Sequence, residues 1–157
     1  MKRQKTINKK KNIEESLWKS AKSLRGSVES SEYKHVVLSL IFLKFVSDKF
    51  ENHRKKLVKM GQGKYLEMSA AYTKDNIFYI PESSRWSYIQ SRSKEDGLAL
   101  KIDTALKDLE KTNNSLIGAL PNNYFSGLDL ERSNLSSLVD KIGNIDTVRD
   151  EELDIIG

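Results

Sequence analysis

The chain has 157 residues, with 27 Lys and Arg against 22 Asp and Glu, no cysteine, and a formal net charge of +5 at pH 7. Its length predicts a single domain. The lack of cysteine excludes disulfides and thiolate metal sites and is typical of a reducing compartment, and the N-terminus has no apolar run like that of a secretory signal, so we expect a cytoplasmic protein.

The excess positive charge is confined to the N-terminus. Residues 1–11 contain no acidic residue and six basic ones: Lys2, Arg3, Lys5, Lys9, Lys10 and Lys11. The rest of the chain is close to neutral, so we expect a flexible basic arm rather than a basic domain. Two interpretations of the arm remain open, a solubilising tail or a contact to DNA phosphates; without an aromatic residue it is no platform for stacked bases.

A first amphipathic helix is predicted directly after the arm. Asn12 and Glu15 have the spacing of an N-cap and its capping-box partner. Gly26 is suited to end this helix. Apolar residues in this part of the chain recur at steps of three and four, which places them on one face: Ile13, Leu17, Ala21, Leu24 and Val28.

The next predicted helix is the most apolar part of the chain. Nine of the eleven residues 36–46 are apolar, and only Ser39 and Lys44 interrupt them. A helix that is apolar nearly all round must be covered on several sides. The run is too short for a membrane span, which needs about 20 residues. We therefore predict a central helix over about residues 31–58, ended by Gly61 and Gly63.

Shorter helical patterns follow the central helix. Ser83 or Ser84 can cap a short helix that carries Trp86 and Ile89. Two longer stripes predict further helices, whose apolar residues are Leu98, Ile102, Ala105, Leu106 and Leu109 in one and Leu135, Leu138, Val139 and Ile142 in the other. No strand series is present, so the fold class is all-α, a compact bundle of about five or six helices. The helical domain should span residues 12–146, and residues 147–157 should begin a linker or helix.

Four segments in this order resemble the N-terminal helical domain of the modification (DNA methyltransferase) subunit of type I restriction–modification systems. They are a helix with Leu17-Trp18 and Leu24-Arg25, the helix LSLIFLKFVSDKFE at 38–51, the segment IPESSRWSYI at 80–89, and the stretch from ALPNNYF to IGNID at 119–146. Together they cover most of residues 13–146, and their order and spacing carry the match.

The resemblance implies that the full-length subunit uses S-adenosylmethionine to methylate adenine N6 in DNA. Its implied partners are DNA, a specificity subunit that chooses the site, a second modification subunit and an ATP-dependent restriction subunit, and no membrane. This domain would pack on partner subunits and help to close the assembly around DNA. The chain itself has no Asn/Asp-Pro-Pro-Phe/Tyr motif, and its one close glycine pair, Gly61 and Gly63, lacks the third glycine of a dinucleotide turn. We therefore expect no catalytic or cofactor-binding residue here.

Candidate binding residues lie at two further places. Arg54, Lys55 and Lys56 could extend the phosphate-contacting surface of the arm, although a helix dipole equally explains basic residues near a helix C-terminus. Arg85 and Trp86 are a candidate partner interface, because this residue pair is enriched in interface hot spots. The competing interpretation makes Trp86 a core anchor, as large aromatic residues usually are.

No metal site is expected. His35 and His53 share a face of the predicted central helix, but they are five turns, or about 27 Å, apart. The alternative function is a stand-alone helical module that binds DNA or protein without an enzymatic role. A helix-turn-helix reader is disfavoured, because the helix after the 26–31 turn is too apolar to lie in a DNA groove.

Overall fold

The structure, a computed structural model, describes residues 30–147, with side chains from Glu32 onward. Within that range the chain is all-helical and contains no strand, which confirms the predicted fold class. The α-helices are α1 (Ser30–Lys59), α2 (Ala70–Thr73), α3 (Trp86–Ser91), α4 (Leu98–Thr112) and α5 (Arg132–Gly143). Three 3-10 turns occupy Gly63–Tyr65, Glu82–Ser84 and Asn114–Leu116. The basic arm, the first predicted helix and residues 148–157 lie outside the described residues.

Helix α1 matches the predicted central helix in position and length. It carries Glu32 in its first turn and Lys56 and Lys59 in its last, as the helix dipole favours. It ends in a Schellman motif, in which the N–H of Gln62 donates to the Leu57 carbonyl at 2.8 Å and that of Gly61 to Val58 at 3.1 Å. Gly61 adopts φ = 70°, a left-handed conformation that suits glycine at this position.

One side of α1 forms the centre of the core. Val36, Leu40, Leu43 and Phe50 have no exposed surface, and α3 and α5 pack on this helix. Leu38 lies on the opposite side and is 63% exposed. Burying an aliphatic or aromatic side chain contributes about 1.5–3 kcal/mol, so this side of α1 is a major source of the stability of the fold.

Residues 77–86 are held against the core by hydrogen bonds between side chains and backbone groups. Asn113, at the end of α4, accepts a hydrogen bond from the Tyr79 N–H at 3.1 Å and donates to the Tyr79 carbonyl at 2.9 Å. The Ser84 hydroxyl donates to the Ala105 carbonyl at 2.6 Å. The Trp86 N–H donates to the Ser47 hydroxyl at 2.8 Å, which fixes the start of α3 against α1.

The long connection between α4 and α5 is held by one buried carboxylate. Asp103, on the inner side of α4, accepts hydrogen bonds from the N–H groups of Phe125 and Ser126, both at 2.8 Å. Phe125 is fully buried. Tyr124 contacts the start of α1, since its hydroxyl donates to the side chain of Glu32. Phe125 therefore anchors this connection in the core.

One detail of the predicted elements was wrong. Ser83 and Ser84 lie in a 3-10 turn before α3 and do not cap it. Their hydroxyls donate instead to Asp108 at 2.7 Å and to the Ala105 carbonyl, both on α4.

No helix in the described part of the chain is long and apolar enough to cross a membrane.

Leu40→Asp should unfold the domain, whereas Leu38→Asp should leave it folded. The first change places an unpaired carboxylate where the side chain has no exposed surface, at a cost of several kcal/mol against a typical total stability of about 5–15 kcal/mol. The second lies on the exposed side of the same helix and should cost about 0.5 kcal/mol or less. Circular dichroism thermal melts of both variants provide the measurement, and equal midpoints would show that α1 is not the centre of the core.

Candidate functional site

An open groove runs along the C-terminal half of α1. Its first part, about 450 Å³ in volume, lies between α1 and residues 143–146, which follow from the end of α5. Its second part, about 620 Å³, extends towards Leu66 in the turn after α1. Glu51, Asn52 and Lys55 line both parts, so the two form one continuous groove.

The charge of the groove changes along its length. The first part contains Asp48, Glu51 and Asp146 together with Lys44. Lys44 is itself buried and donates to Asp48, which also accepts a hydrogen bond from the Thr147 hydroxyl at 2.6 Å. The second part is lined by Arg54, Lys55, Lys56 and Lys59. The groove therefore has an acidic end, where the described chain leaves at Thr147, and a basic end near the C-terminus of α1.

The ammonium groups of the basic end differ from the guanidinium group of Arg54 in their surroundings. Lys55, Lys56 and Lys59 are exposed, and no described carboxylate forms an ion pair with any of them. Arg54 lies 3.3 Å from Glu67 and 3.4 Å from the Leu66 carbonyl, and it stacks over the Phe50 ring at 5.6 Å. The three lysines are thus exposed to solvent, whereas Arg54 holds the loop after α1 in place.

A cluster of aromatic and charged side chains packs beside this loop. Phe50 lies 4.7 Å from Tyr72 and 5.3 Å from Tyr79 between ring centroids, and Arg85 lies over the Phe50 ring at 4.9 Å. The Tyr79 hydroxyl donates to Glu67 at 2.8 Å. The cluster consists of internal contacts and presents no assembled acid, base or nucleophile.

The contacts of this cluster shift the pKa values of its members. The hydrogen bond from Tyr79, and then the one from Arg54, lower the pKa of Glu67 below its ordinary value of 4.5. Burial and the bond to Glu67 raise the pKa of Tyr79. Burial alone would lower the pKa of Arg54, but its bond to Glu67 and the neighbouring negative charges raise it overall. All three groups therefore keep their usual charge state at neutral pH.

The predicted site residues are found in different settings. Lys2 to Lys11 lie outside the described residues, so a DNA contact by the arm stays a prediction. Trp86 is only 4% exposed and its indole N–H is buried without a hydrogen-bond partner, which favours the core interpretation. Arg85 is half-buried and donates to the Ile80 carbonyl at 3.1 Å. A contact of Arg85 and Trp86 with a partner remains a prediction.

The histidines are structural or exposed. His35 is exposed, whereas His53 Nε2 lies 2.9 Å from the Ala71 carbonyl and must carry a proton there, since a carbonyl only accepts. No group of three potential metal ligands occurs among residues 30–147.

Two surface features were missed by sequence reasoning. The first is the acidic end of the groove, because Asp48 and Asp146 are almost a hundred residues apart in the chain. The second is the exposed apolar surface around residues 58–68, formed by Val58 at 59%, Met60 at 63%, Tyr65 at 36% and Met68 at 51% exposure. The sequence signal for this surface was the presence of apolar residues next to Gly61 and Gly63, where they belong to no helical stripe.

Residues 13–142 match the profile of a known family, described as the HsdM N-terminal domain. The chain belongs to this family. The resemblance to the N-terminal helical domain of a type I modification subunit is thereby confirmed. Among curated proteins, the chain is 29% identical over 148 residues to the type I restriction enzyme MjaIX methylase subunit of Methanocaldococcus jannaschii. The match covers 85% of this chain and 26% of that relative, so the chain spans about a quarter of the relative's length.

The residues that carry the family resemblance serve the internal packing of the HsdM N-terminal domain. In the 80–89 segment, Ser84 binds α4, Arg85 stacks on Phe50, and the Trp86 N–H binds Ser47. Further along, Phe125 is bound by Asp103 through its N–H. The shared motifs therefore define a fold.

The Glu67 contacts predict a pH dependence of stability. The folded-state pKa of Glu67 is lowered, so its ionised carboxylate stabilises the folded state at neutral pH. This stabilisation is lost as the pH falls through the lowered pKa, below about 4.5. Glu67→Gln should lower the melting temperature by about 1–2 °C at pH 7. The effect is small because solvent screens the exposed side chain, and at acidic pH the substitution should leave the melting temperature unchanged.

The measurement is a series of thermal melts between pH 7 and pH 3. Glu82→Gln is the matched control, since Glu82 is exposed and its side chain has no described partner. A difference between wild type and Glu67→Gln that is constant with pH would contradict the role assigned to the carboxylate.

Proposed function

We propose that this chain is the binding domain of a type I modification subunit and that it contributes to subunit assembly and to holding DNA. In the full-length subunit, a catalytic part outside this chain would transfer a methyl group from S-adenosylmethionine to adenine N6, at a site chosen by the specificity subunit. A second modification subunit and, for cleavage, a restriction subunit would complete the assembly. Family membership and the methylase relative support this proposal.

The observation that carries the proposal is that the polar residues fall into two groups, one in internal hydrogen bonds and one exposed to solvent. Those of the family segments are engaged in internal hydrogen bonds, as Ser47, Ser84 and Asp103 illustrate. The described residues contain no assembled catalytic group, while basic and apolar side chains remain exposed at one end of α1. Such an arrangement favours binding over chemistry.

The apolar surface around residues 58–68 is the candidate contact with a protein subunit. Four of the seven large apolar side chains that are exposed in the described part of the chain lie there. Grouped exposed apolar residues are typical of interaction sites. The lysines of α1 that border this surface would contact DNA phosphates, together with the arm.

The alternative is a stand-alone helical module without an enzymatic partner. The exposed lysines and the apolar surface are equally compatible with that function. The two proposals differ in one respect, which is whether the surface binds the specificity subunit of the same system.

Met60→Asp with Met68→Asp should weaken assembly of the full-length subunit. Both side chains are more than half exposed, so the charges should cost little stability, whereas a carboxylate buried in an interface should reduce affinity about tenfold or more. The measurement is co-purification with the specificity subunit. Leu100→Asp is the control, being 60% exposed on α4. Equal co-purification of both variants and wild type would exclude this surface as the contact.

Lys55→Glu with Lys56→Glu should weaken binding to duplex DNA and its dependence on salt. Each lost phosphate contact lowers the slope of log affinity against log salt by about 0.9, so two contacts lower it by about 2. Deletion of residues 1–11 should lower it further. Electrophoretic mobility shifts at several salt concentrations give the slope. Lys107→Glu with Lys111→Glu, an exposed pair on α4, is the control. A slope shared by all variants would place the DNA contacts outside this chain.

A further inference from the structure

The groove on α1 begins where the described chain leaves the domain. The Thr147 hydroxyl binds Asp48, and residues 143–146 form one wall of the acidic end. The ten residues that follow, 148–157, therefore start at the mouth of the groove. This segment would have a high effective concentration at the groove, because it is covalently attached beside it.

The order of charges in residues 148–157 is the reverse of the order in the groove. Arg149 comes first, and four carboxylates follow at Asp150, Glu151, Glu152 and Asp154. In the groove, Asp48, Glu51 and Asp146 come first, and the lysines follow. A segment running from Thr147 towards the C-terminus of α1 would thus bring its carboxylates to the exposed lysines.

Apolar residues match in the same direction. Leu153, Ile155 and Ile156 lie at the far end of the segment. At the far end of the groove, Val58 and Leu66 contribute apolar surface, and Val58 is 59% exposed. Burying such side chains against one another would add to the ionic contacts, which are weak when they are exposed singly.

The length of the segment is sufficient for this path. From Asp48 to Lys59 the axis of α1 rises about 16 Å. Ten residues span about 15 Å as a helix and about 33 Å when extended. The carboxylates therefore reach the lysines in either conformation.

We propose that residues 148–157 bind along the groove of α1, with their carboxylates facing Lys55, Lys56 and Lys59. The occupant of the groove is thus a segment of the chain itself. Bound in this way, the segment neutralises the ammonium groups of these three lysines, which have no ion-pair partner among the described residues. It also competes with DNA phosphates for the same lysines. The direction in which the chain continues from the domain is then fixed by α1.

Paramagnetic relaxation in the full 157-residue chain tests this binding without DNA or partner proteins. Because the chain has no cysteine, Gly157→Cys provides a single attachment point for a nitroxide label. We expect the amide resonances of Lys55 to Lys59 to be broadened several-fold more than those of Lys107 to Lys111 on α4. No residue of α4 lines the groove.

Charge variants show whether the lysines hold the segment. Lys55→Glu with Lys59→Glu should abolish the broadening, and adding Glu151→Lys with Asp154→Lys should restore it. Lys107→Glu with Lys111→Glu is the matched control, because these residues are also exposed, four apart and near a helix C-terminus. It should leave the broadening unchanged. All six positions are exposed or outside the described residues, and circular dichroism verifies that each variant folds.

Two results would overturn the proposal. Broadening that is absent, or equal in α1 and α4, would show that the segment does not bind the groove. Broadening of an isotope-labelled chain by a separate, nitroxide-labelled chain would identify a second copy as the occupant. Since no DNA or subunit is present, failure here leaves the proposed function untouched, and failure of the DNA or assembly experiments leaves this binding untouched.

Discussion

Burial of one side of α1 is the constraint on which the other described elements depend. Leu40, Leu43 and Phe50 are fully buried, and α3, α5 and the turn at 63–65 all contact this helix. Near its C-terminus this helix exposes Lys55, Lys56 and Lys59 and lines the groove. The same element therefore stabilises the fold and carries the groove, so a change in its packing would alter both.

The elements with a strong apolar period were predictable from the sequence. The central helix was expected at about 31–58 and is observed at Ser30–Lys59, because its apolar run and its glycine stop act locally. The segment at 82–84 was not predictable in detail. Its serines bind groups on α4 more than twenty residues away, and such long-range pairing competes successfully with local capping.

The candidate site was predictable in composition but not in arrangement. The cluster Arg54, Lys55 and Lys56 was identified from the sequence, yet only the structure separates Arg54, bound to Glu67, from the exposed lysines. That separation depends on the loop after α1 folding back on the helix. Likewise, Asp48 and Thr147 are close because α5 packs on α1, and no periodic pattern within either helix records that contact.

Ser47 illustrates how the fold limits sequence divergence. The buried apolar residues of α1, such as Leu43 and Phe50, can be exchanged for other apolar residues of similar size at a cost of about 1.5 kcal/mol or less. Ser47 is 1% exposed and accepts the Trp86 N–H, so an alanine or valine there would leave a buried donor unpaired, at a cost of about 1–3 kcal/mol. As relatives drift apart in sequence, this position should tolerate only small residues with a hydrogen-bond acceptor, while the buried apolar positions of α1 can vary among apolar residues of similar size.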